Sequence, residues 1–134
     1  MAWAGEGARM ATILYVDDEA AIRRAVVSWL TRHGHTVHTA ATLGDARSLL
    51  ESESIDGAFV DLWLGGESGL ELRDWIDEHC PELSPNVVFV TGDPGAHSAG
   101  RGFLAELGRP VLAKPFDLQA LDQFVAGWSS RDPG

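Results

Sequence analysis

An open α/β sheet of five parallel strands with helices on both faces is the fold class this sequence predicts. Three observations predict it. Short β-branched runs alternate five times with longer segments of helical period. The strand segments are near-continuous apolar runs, as strands covered on both faces are. The 134 residues, 45% hydrophobic and 22% charged, suit one globular domain and are too few for two with cores of their own.

Thr12 to Val16 reads as the first buried strand. Ile22, Ala25, Val26, Trp29 and Leu30 then mark one face of a helix, which Gly34 stops. Thr36 to Ala40 is a second, more polar strand, expected at an edge. Thr42 is placed to cap the next helix, with Asp45 in its first turn and Leu43, Ala46, Leu49 and Leu50 apolar. Gly57 to Val60 forms a third strand ending at Asp61. A glycine-rich loop (Gly65, Gly66, Gly69) leads to a helix with Leu72, Trp75 and Ile76, stopped near Pro81. Asn86 to Thr91 is the fourth strand. A loop with Gly92, Pro94 and Gly95 precedes a fourth helix around Phe103, Leu104 and Leu107, although Gly100 and Gly102 each cost about 1 kcal/mol in a helix interior. Pro110 to Ala113 is the fifth strand, and Leu118, Leu121, Phe124, Val125 and Trp128 mark a last helix.

Right-handed crossovers leave the flavodoxin-like order 2-1-3-4-5 as the common doubly wound solution. The alternative, a Rossmann half, lacks its phosphate fingerprint. Gly5-Glu6-Gly7 precedes the first strand, and no third glycine follows at the required spacing. Residues 1–10 are expected to be a loosely held extension, 11–129 the domain and 130–134 a polar tail.

Ten Lys and Arg against 20 Asp and Glu give a net charge of −10. Direct binding to nucleic acid or to an anionic membrane needs clustered cations, so neither is expected. The single cysteine, Cys80, excludes an internal disulfide and points to a reducing compartment. No apolar run approaches the roughly 18–20 residues of a membrane span, and MAWAGEGARM is not a secretory signal. A cytoplasmic location is expected.

In such a sheet the chemistry collects beyond the carboxyl ends of the strands. The first strand ends on Asp17-Asp18, with Glu19 next; the third ends on Asp61, the fourth on Thr91, and the fifth runs into Lys114-Pro115. Strands one and three are neighbours in the predicted order, so Asp17, Asp18 and Asp61 would share a pocket. Polar strand ends are common singly, but their joint occurrence on one rim is not. Clustered carboxylates repel unless a cation intervenes. Mg²⁺ is a hard ion that takes one or two carboxylates, keeps waters and leaves room for a phosphate oxygen. Lys114 adds positive charge, Thr91 a hydrogen bond, and an Asp carboxylate is an established nucleophile, so the set suits phosphoryl transfer.

From Thr12 to about Trp128 the chain resembles the receiver domain of two-component response regulators, as a stand-alone module or as the receiver segment of a hybrid histidine kinase. The resemblance is carried by Val16-Asp17-Asp18-Glu19, Phe59-Val60-Asp61, Thr91-Gly92 and Lys114-Pro115-Phe116. It implies phosphoryl transfer from a histidine kinase or a histidine phosphotransfer protein onto Asp61. Asp18 would bind Mg²⁺ directly, Asp17 through water, and the Trp63 main-chain carbonyl would be a further ligand. Thr91, Gly92 and Lys114 would hold the phosphoryl group and drive the switch, with a cis bond before Pro115. The implied module is no enzyme in its own right, although it assists its own phosphorylation and dephosphorylation. It would act on a downstream protein. The fourth helix, fifth strand and last helix would form the output face and a candidate homodimer surface.

Two features depart from the family. Val111 stands three residues before the lysine, where members usually carry an aromatic that moves with the threonine, so that coupling does not carry over. Trp63, two residues past Asp61, replaces a small or polar residue and is expected, with Asp93, to restrict the attacking water. Two other functions compete. A haloacid-dehalogenase-like phosphatase also uses Asp, Mg²⁺, Thr and Lys, but needs a second Asp where Trp63 stands. A degenerate receiver would accept no phosphate, although its acid, hydroxyl and lysine positions are intact here. The remaining signals are set aside. His33, His35 and His38 are not expected to converge on a metal, His79-Cys80 reads as an ordinary packed or surface pair, and Arg23-Arg24 reads as a solvated helix face.

Overall fold

The computed structural model describes residues 10–92 and 108–128. The expected extension before Met10, the fourth helix around Phe103, Leu104 and Leu107, and the tail 130–134 lie outside the described residues. The elements are β1 (Thr12–Val16), α1 (Ala20–Arg32), β2 (Thr36–Ala40), α2 (Leu43–Ser52), β3 (Gly57–Asp61), β4 (Trp63–Leu64), β5 (Glu67–Ser68), α3 (Gly69–His79), β6 (Val87–Thr91), β7 (Val111–Ala113) and α4 (Gln119–Val125). Single 3-10 turns cover Ser84–Asn86 and Ala126–Trp128.

Five strands form one parallel sheet in the order β2-β1-β3-β6-β7. This is the doubly wound flavodoxin-like order, with the more polar β2 at an edge. Successive strand residues point to opposite faces, which divides the core in two. Leu14, Val16, Ala58, Val60, Val87 and Phe89 pack with Leu43, Leu50, Leu72 and Ile76 of α2 and α3. Ile13, Tyr15, Phe59, Val88 and Val90 pack with Val26 and Leu30 of α1 and with Leu121, Val125 and Trp128. Phe59 anchors the second half, with Trp128 at a ring-centroid distance of 4.8 Å and the Phe124 ring edge-on at 6.1 Å.

Local chemistry explains the element boundaries. Thr42 Oγ1 accepts the Asp45 N–H and so caps α2, while Ser68 Oγ does the same for Leu70 at α3. Asn86 belongs to the 3-10 turn rather than to β6, and its side-chain amide instead donates to the Asp56 carbonyl. Ala25, expected on the apolar face of α1, is exposed. The glycine-rich loop after Asp61 is a hairpin in which β4 and β5 pair antiparallel. Gly65 and Gly66 form its two-residue turn with φ of 48° and 98°, a left-handed path that glycine takes without steric cost. Among the described residues no helix is long and apolar enough to cross a membrane.

The three histidines read as non-convergent separate as expected. His33 Nδ1 bonds the Trp29 carbonyl, and His38 faces Glu53 at 3.9 Å. His35 Nδ1 accepts the Ala11 N–H at 3.0 Å, so its proton sits on Nε2. Burial pushes the His35 pKa down, against the pull of Asp122 and with the help of His33. The unfolded chain therefore takes up this proton first, near pH 6.5, and folding stability is lost as pH falls below that value through the folded pKa. Urea unfolding at about pH 7.5 and about pH 5.5 tests this: the acid-side loss is expected to be smaller in His35→Gln than in the parent.

Candidate functional site

The rim beyond the carboxyl ends of the strands brings the side chains of Asp17, Asp61 and Lys114 into bonded contact, sets Asp18 beside Asp17, and places Thr91 at the neighbouring strand end. Asp17 follows β1 directly. Its N–H continues the ladder to the Ala40 carbonyl, and its side chain is fully buried. Asp61 is the last residue of β3 and is 4% exposed. Thr91 ends β6 and is also buried, and its carbonyl accepts the Lys114 N–H at 2.8 Å. Lys114 follows β7 and precedes a cis peptide to Pro115.

Lys114 is the hub. Its Nζ lies 3.2 Å from Asp17 Oδ2, 3.1 Å from Glu19 Oε2 and 3.0 Å from Asp61 Oδ2. An ammonium carries three protons, so its donor capacity is fully used. The other oxygen of Asp61, Oδ1, accepts the Trp63 N–H at 3.1 Å. Asp17 Oδ1 accepts the Glu19 N–H at 3.0 Å, and Asp17 Oδ2 also accepts the Tyr15 hydroxyl at 3.0 Å.

The electrostatics follow from burial and this wiring. Burial raises the Asp61 carboxyl above its ordinary range, and the hydrogen bonds from Lys114 and Trp63 only partly offset it. Burial works against the Lys114 ammonium, but its bonds to Asp61 and Glu19 win and hold the amine above its usual value. The Tyr15 hydroxyl is pushed well above its ordinary value, first by burial and then by Asp17. Two buried carboxylates thus share one cation, an arrangement with spare negative charge.

Asp18 and Glu19 are exposed, and carboxylate oxygens of Asp17, Asp18 and Glu19 lie within 4.8 Å of one another. The hairpin turn approaches this group, for a Cβ on Gly65 would sit 3.7 Å from Asp18 Oδ2. All-oxygen donors of this density fit a hard divalent cation. Gly92 is exposed just past Thr91. Val111 is half-buried, paired with Phe89 across the sheet and packed against the α2–α3 half of the core. Trp63, two residues past Asp61, is 40% exposed.

Sequence reasoning assigned no role to three neighbours of this cup. Tyr15 reads as core because it sits in an apolar run, but it shares its strand face with Asp17 two residues on. Glu19 is the third acid of an acidic run and proves to be a lysine partner. Arg23 is half-buried rather than solvated, and its Nη1 donates to the Asp17 carbonyl at 2.8 Å.

Fold and rim together define a doubly wound α/β domain with a lysine-neutralised carboxylate cup at the carboxyl ends of its strands. The chain belongs to the response regulator receiver domain family, whose model matches residues 13–126. The regulatory protein VirG of Rhizobium rhizogenes is 33% identical over 108 residues, 80% of this chain and 43% of VirG. The alginate biosynthesis transcriptional regulatory protein AlgB of Pseudomonas aeruginosa is 39% identical over 87 residues, 65% of this chain and 18% of AlgB. The chain thus spans less than half the length of either relative. The response regulator protein TrrA of Thermotoga maritima, solved in complex with Mg(2+)-BeF, superposes with a TM-score of 0.72 at 27% identity, covering 89% of this chain and 99% of that one.

Proposed function

We propose that this chain is the phosphoacceptor of a two-component relay and that Asp61 takes the phosphoryl group. The unit is residues 11–129, and the donor is the phosphohistidine of a histidine kinase or a histidine phosphotransfer protein. The observation that carries this reading is the Lys114 ammonium 3.0 Å from a buried strand-end carboxylate. An Asp61 oxygen bonds to phosphorus as the phosphorus–nitrogen bond of the donor breaks, and the released imidazole takes a proton from solvent.

The protein's own groups position and neutralise. Burial strips water from the Asp61 carboxylate, and the Trp63 N–H fixes one of its oxygens. Lys114 opposes the charge that accumulates on the transferring group, and the Thr91 hydroxyl with the Gly92 backbone would hold a phosphoryl oxygen. Asp17, Asp18, Asp61 and the Trp63 carbonyl would hold Mg²⁺. When bound, that ion would supply the positive charge that one lysine cannot. The Mg(2+)-BeF complex of TrrA supports this reading of the donor set.

Phosphorylation adds about two negative charges to a rim already rich in them. With Val111 in place of an aromatic, the switch is carried by the loop after Thr91 rather than by an inward-swinging ring. The output face is the fourth predicted helix with β7 and α4, which would meet a downstream protein or a second copy. The single half-buried cysteine, whose thiol burial pushes up, suits a cytoplasmic setting. A dehalogenase-like phosphatase is not favoured, because the residue two past Asp61 is Trp63 and brings no carboxylate.

Incubation with Mg²⁺ and acetyl phosphate, followed by intact mass, tests the reading. One base-labile phosphoryl adduct per chain is expected, and none where a chelator is present throughout the incubation; turnover of a generic phosphomonoester would overturn it. Trp63 sets the lifetime of that adduct. Its side chain is exposed two residues past the acceptor while its backbone N–H holds Asp61, so Trp63→Asn would open the approach of water without removing that bond. Dephosphorylation is expected to quicken roughly tenfold, which corresponds to about 1.4 kcal/mol off the barrier to attack by water. An unchanged rate would remove Trp63 from this role.

A further inference from the structure

Asp17 is a fully buried carboxylate held on both of its oxygens. Its oxygens receive three donors: the Tyr15 hydroxyl and the Lys114 ammonium on Oδ2, and the Glu19 N–H on Oδ1. A carboxylate oxygen accepts two hydrogen bonds in its plane. Oδ2 is therefore saturated, while Oδ1 keeps one acceptor site, and a carboxylate oxygen of Asp17 lies within 4.8 Å of oxygens of Asp18 and Glu19. The hydroxyl that completes this saturation belongs to a fully buried ring, wedged by its contact with Phe59 at 6.2 Å among Val26, Leu30 and Val90. An apolar residue would fill that core position equally well. The hydroxyl alone reaches the site.

We infer that Tyr15 is a positioning residue of the cation site: its hydroxyl locks the Asp17 carboxylate so that Oδ1, not Oδ2, faces the ion. This rests on the reading of the acidic cup as a Mg²⁺ site. Without the hydroxyl, Asp17 Oδ2 is held by Lys114 alone, and the carboxylate gains freedom to turn about its χ2. A partner that orients a ligating carboxylate in this way is worth about 10–100-fold in metal affinity. The Tyr15 hydroxyl is bonded to Asp17 and not to the acceptor Asp61, so the loss falls on ion binding.

The experiment is a calorimetric titration of the full chain with MgCl₂, comparing the parent, Tyr15→Phe, Asp17→Asn and the double variant. Tyr15→Phe is expected to bind Mg²⁺ about tenfold more weakly, and its melting temperature in chelator is expected to fall only by the loss of one charge-assisted hydrogen bond, with cooperative unfolding kept. Placed on top of Asp17→Asn, it is expected to cost nothing further, because the two groups act as one unit. Equal affinity in the parent and Tyr15→Phe overturns the inference and leaves the phosphoacceptor reading standing. A parent that binds no Mg²⁺ overturns both.

A second readout needs no substitution. Tyr15 is the chain's single tyrosine, so its ultraviolet resonance Raman bands report the hydrogen bond of this hydroxyl alone. Those bands are expected to shift on Mg²⁺ addition, and bands that stay fixed at saturating Mg²⁺ overturn the inference even if Tyr15→Phe fails to fold.

Discussion

Asp61→Asn is expected to abolish phosphoryl uptake from acetyl phosphate while leaving the domain folded. An amide is no nucleophile toward phosphorus, so the chemical step loses its attacking atom rather than a fraction of its rate. The remaining contacts survive the change. The amide oxygen still accepts the Trp63 N–H, and Lys114 keeps Asp17 and Glu19 as partners. The substitution also removes one of two buried carboxylates that share a single ammonium, which relieves repulsion and desolvation. Unfolding in urea should therefore show no loss of stability, so that a missing adduct reports chemistry alone. Intact mass checks the uptake directly. A parent-like adduct on Asp61→Asn would show that another side chain is the acceptor, and the assignment of Asp61 would fall.

How much of this was legible depends on how the signal is written. Strand order and the rim were readable because apolar runs such as Val87–Thr91 change abruptly to polar residues at their carboxyl ends. Asp17, Asp61 and Lys114 stand out against that background. The β4–β5 hairpin was not readable as strands, since two-residue elements carry no periodicity. Its one signal, the paired Gly65-Gly66, looked like generic loop composition. Tyr15 was hidden for a different reason. Its ring obeys the core pattern in full, and only the direction of its hydroxyl, set by the register of β1 against β3, gives it a second task. Arg23 was misread because an arginine pair on a helix is normally solvated. What singles it out is the reach of one guanidinium to the Asp17 carbonyl, which composition does not encode.

Gly69→Ala is expected to cost stability and to slow phosphorylation together, although local propensity argues the other way. Gly69 opens α3 and lies fully against the end of β3. A Cβ there would meet the Asp61 carbonyl oxygen and would lie 3.0 Å from Val60 Cγ1. The Gly69 N–H also donates to the Leu62 carbonyl at 2.8 Å, tying the helix start to the strand end. Alanine would gain up to about 1 kcal/mol of helix propensity, less at a first-turn position. Overpacking a site of this kind costs about 1–3 kcal/mol, and here the obstructing atom is backbone, which does not rotate away as a side chain does. The clash wins, and a net loss of about 1–2 kcal/mol is expected from urea unfolding. Relief comes only by pushing α3 outward or by moving the Asp61 backbone, and either motion shifts the acceptor relative to Lys114. A slower approach to the phosphorylated mass in acetyl phosphate should therefore accompany the lost stability. A Gly69→Ala variant with parent-like stability and parent-like uptake would mean that the helix start yields freely and that Asp61 is held by the sheet alone.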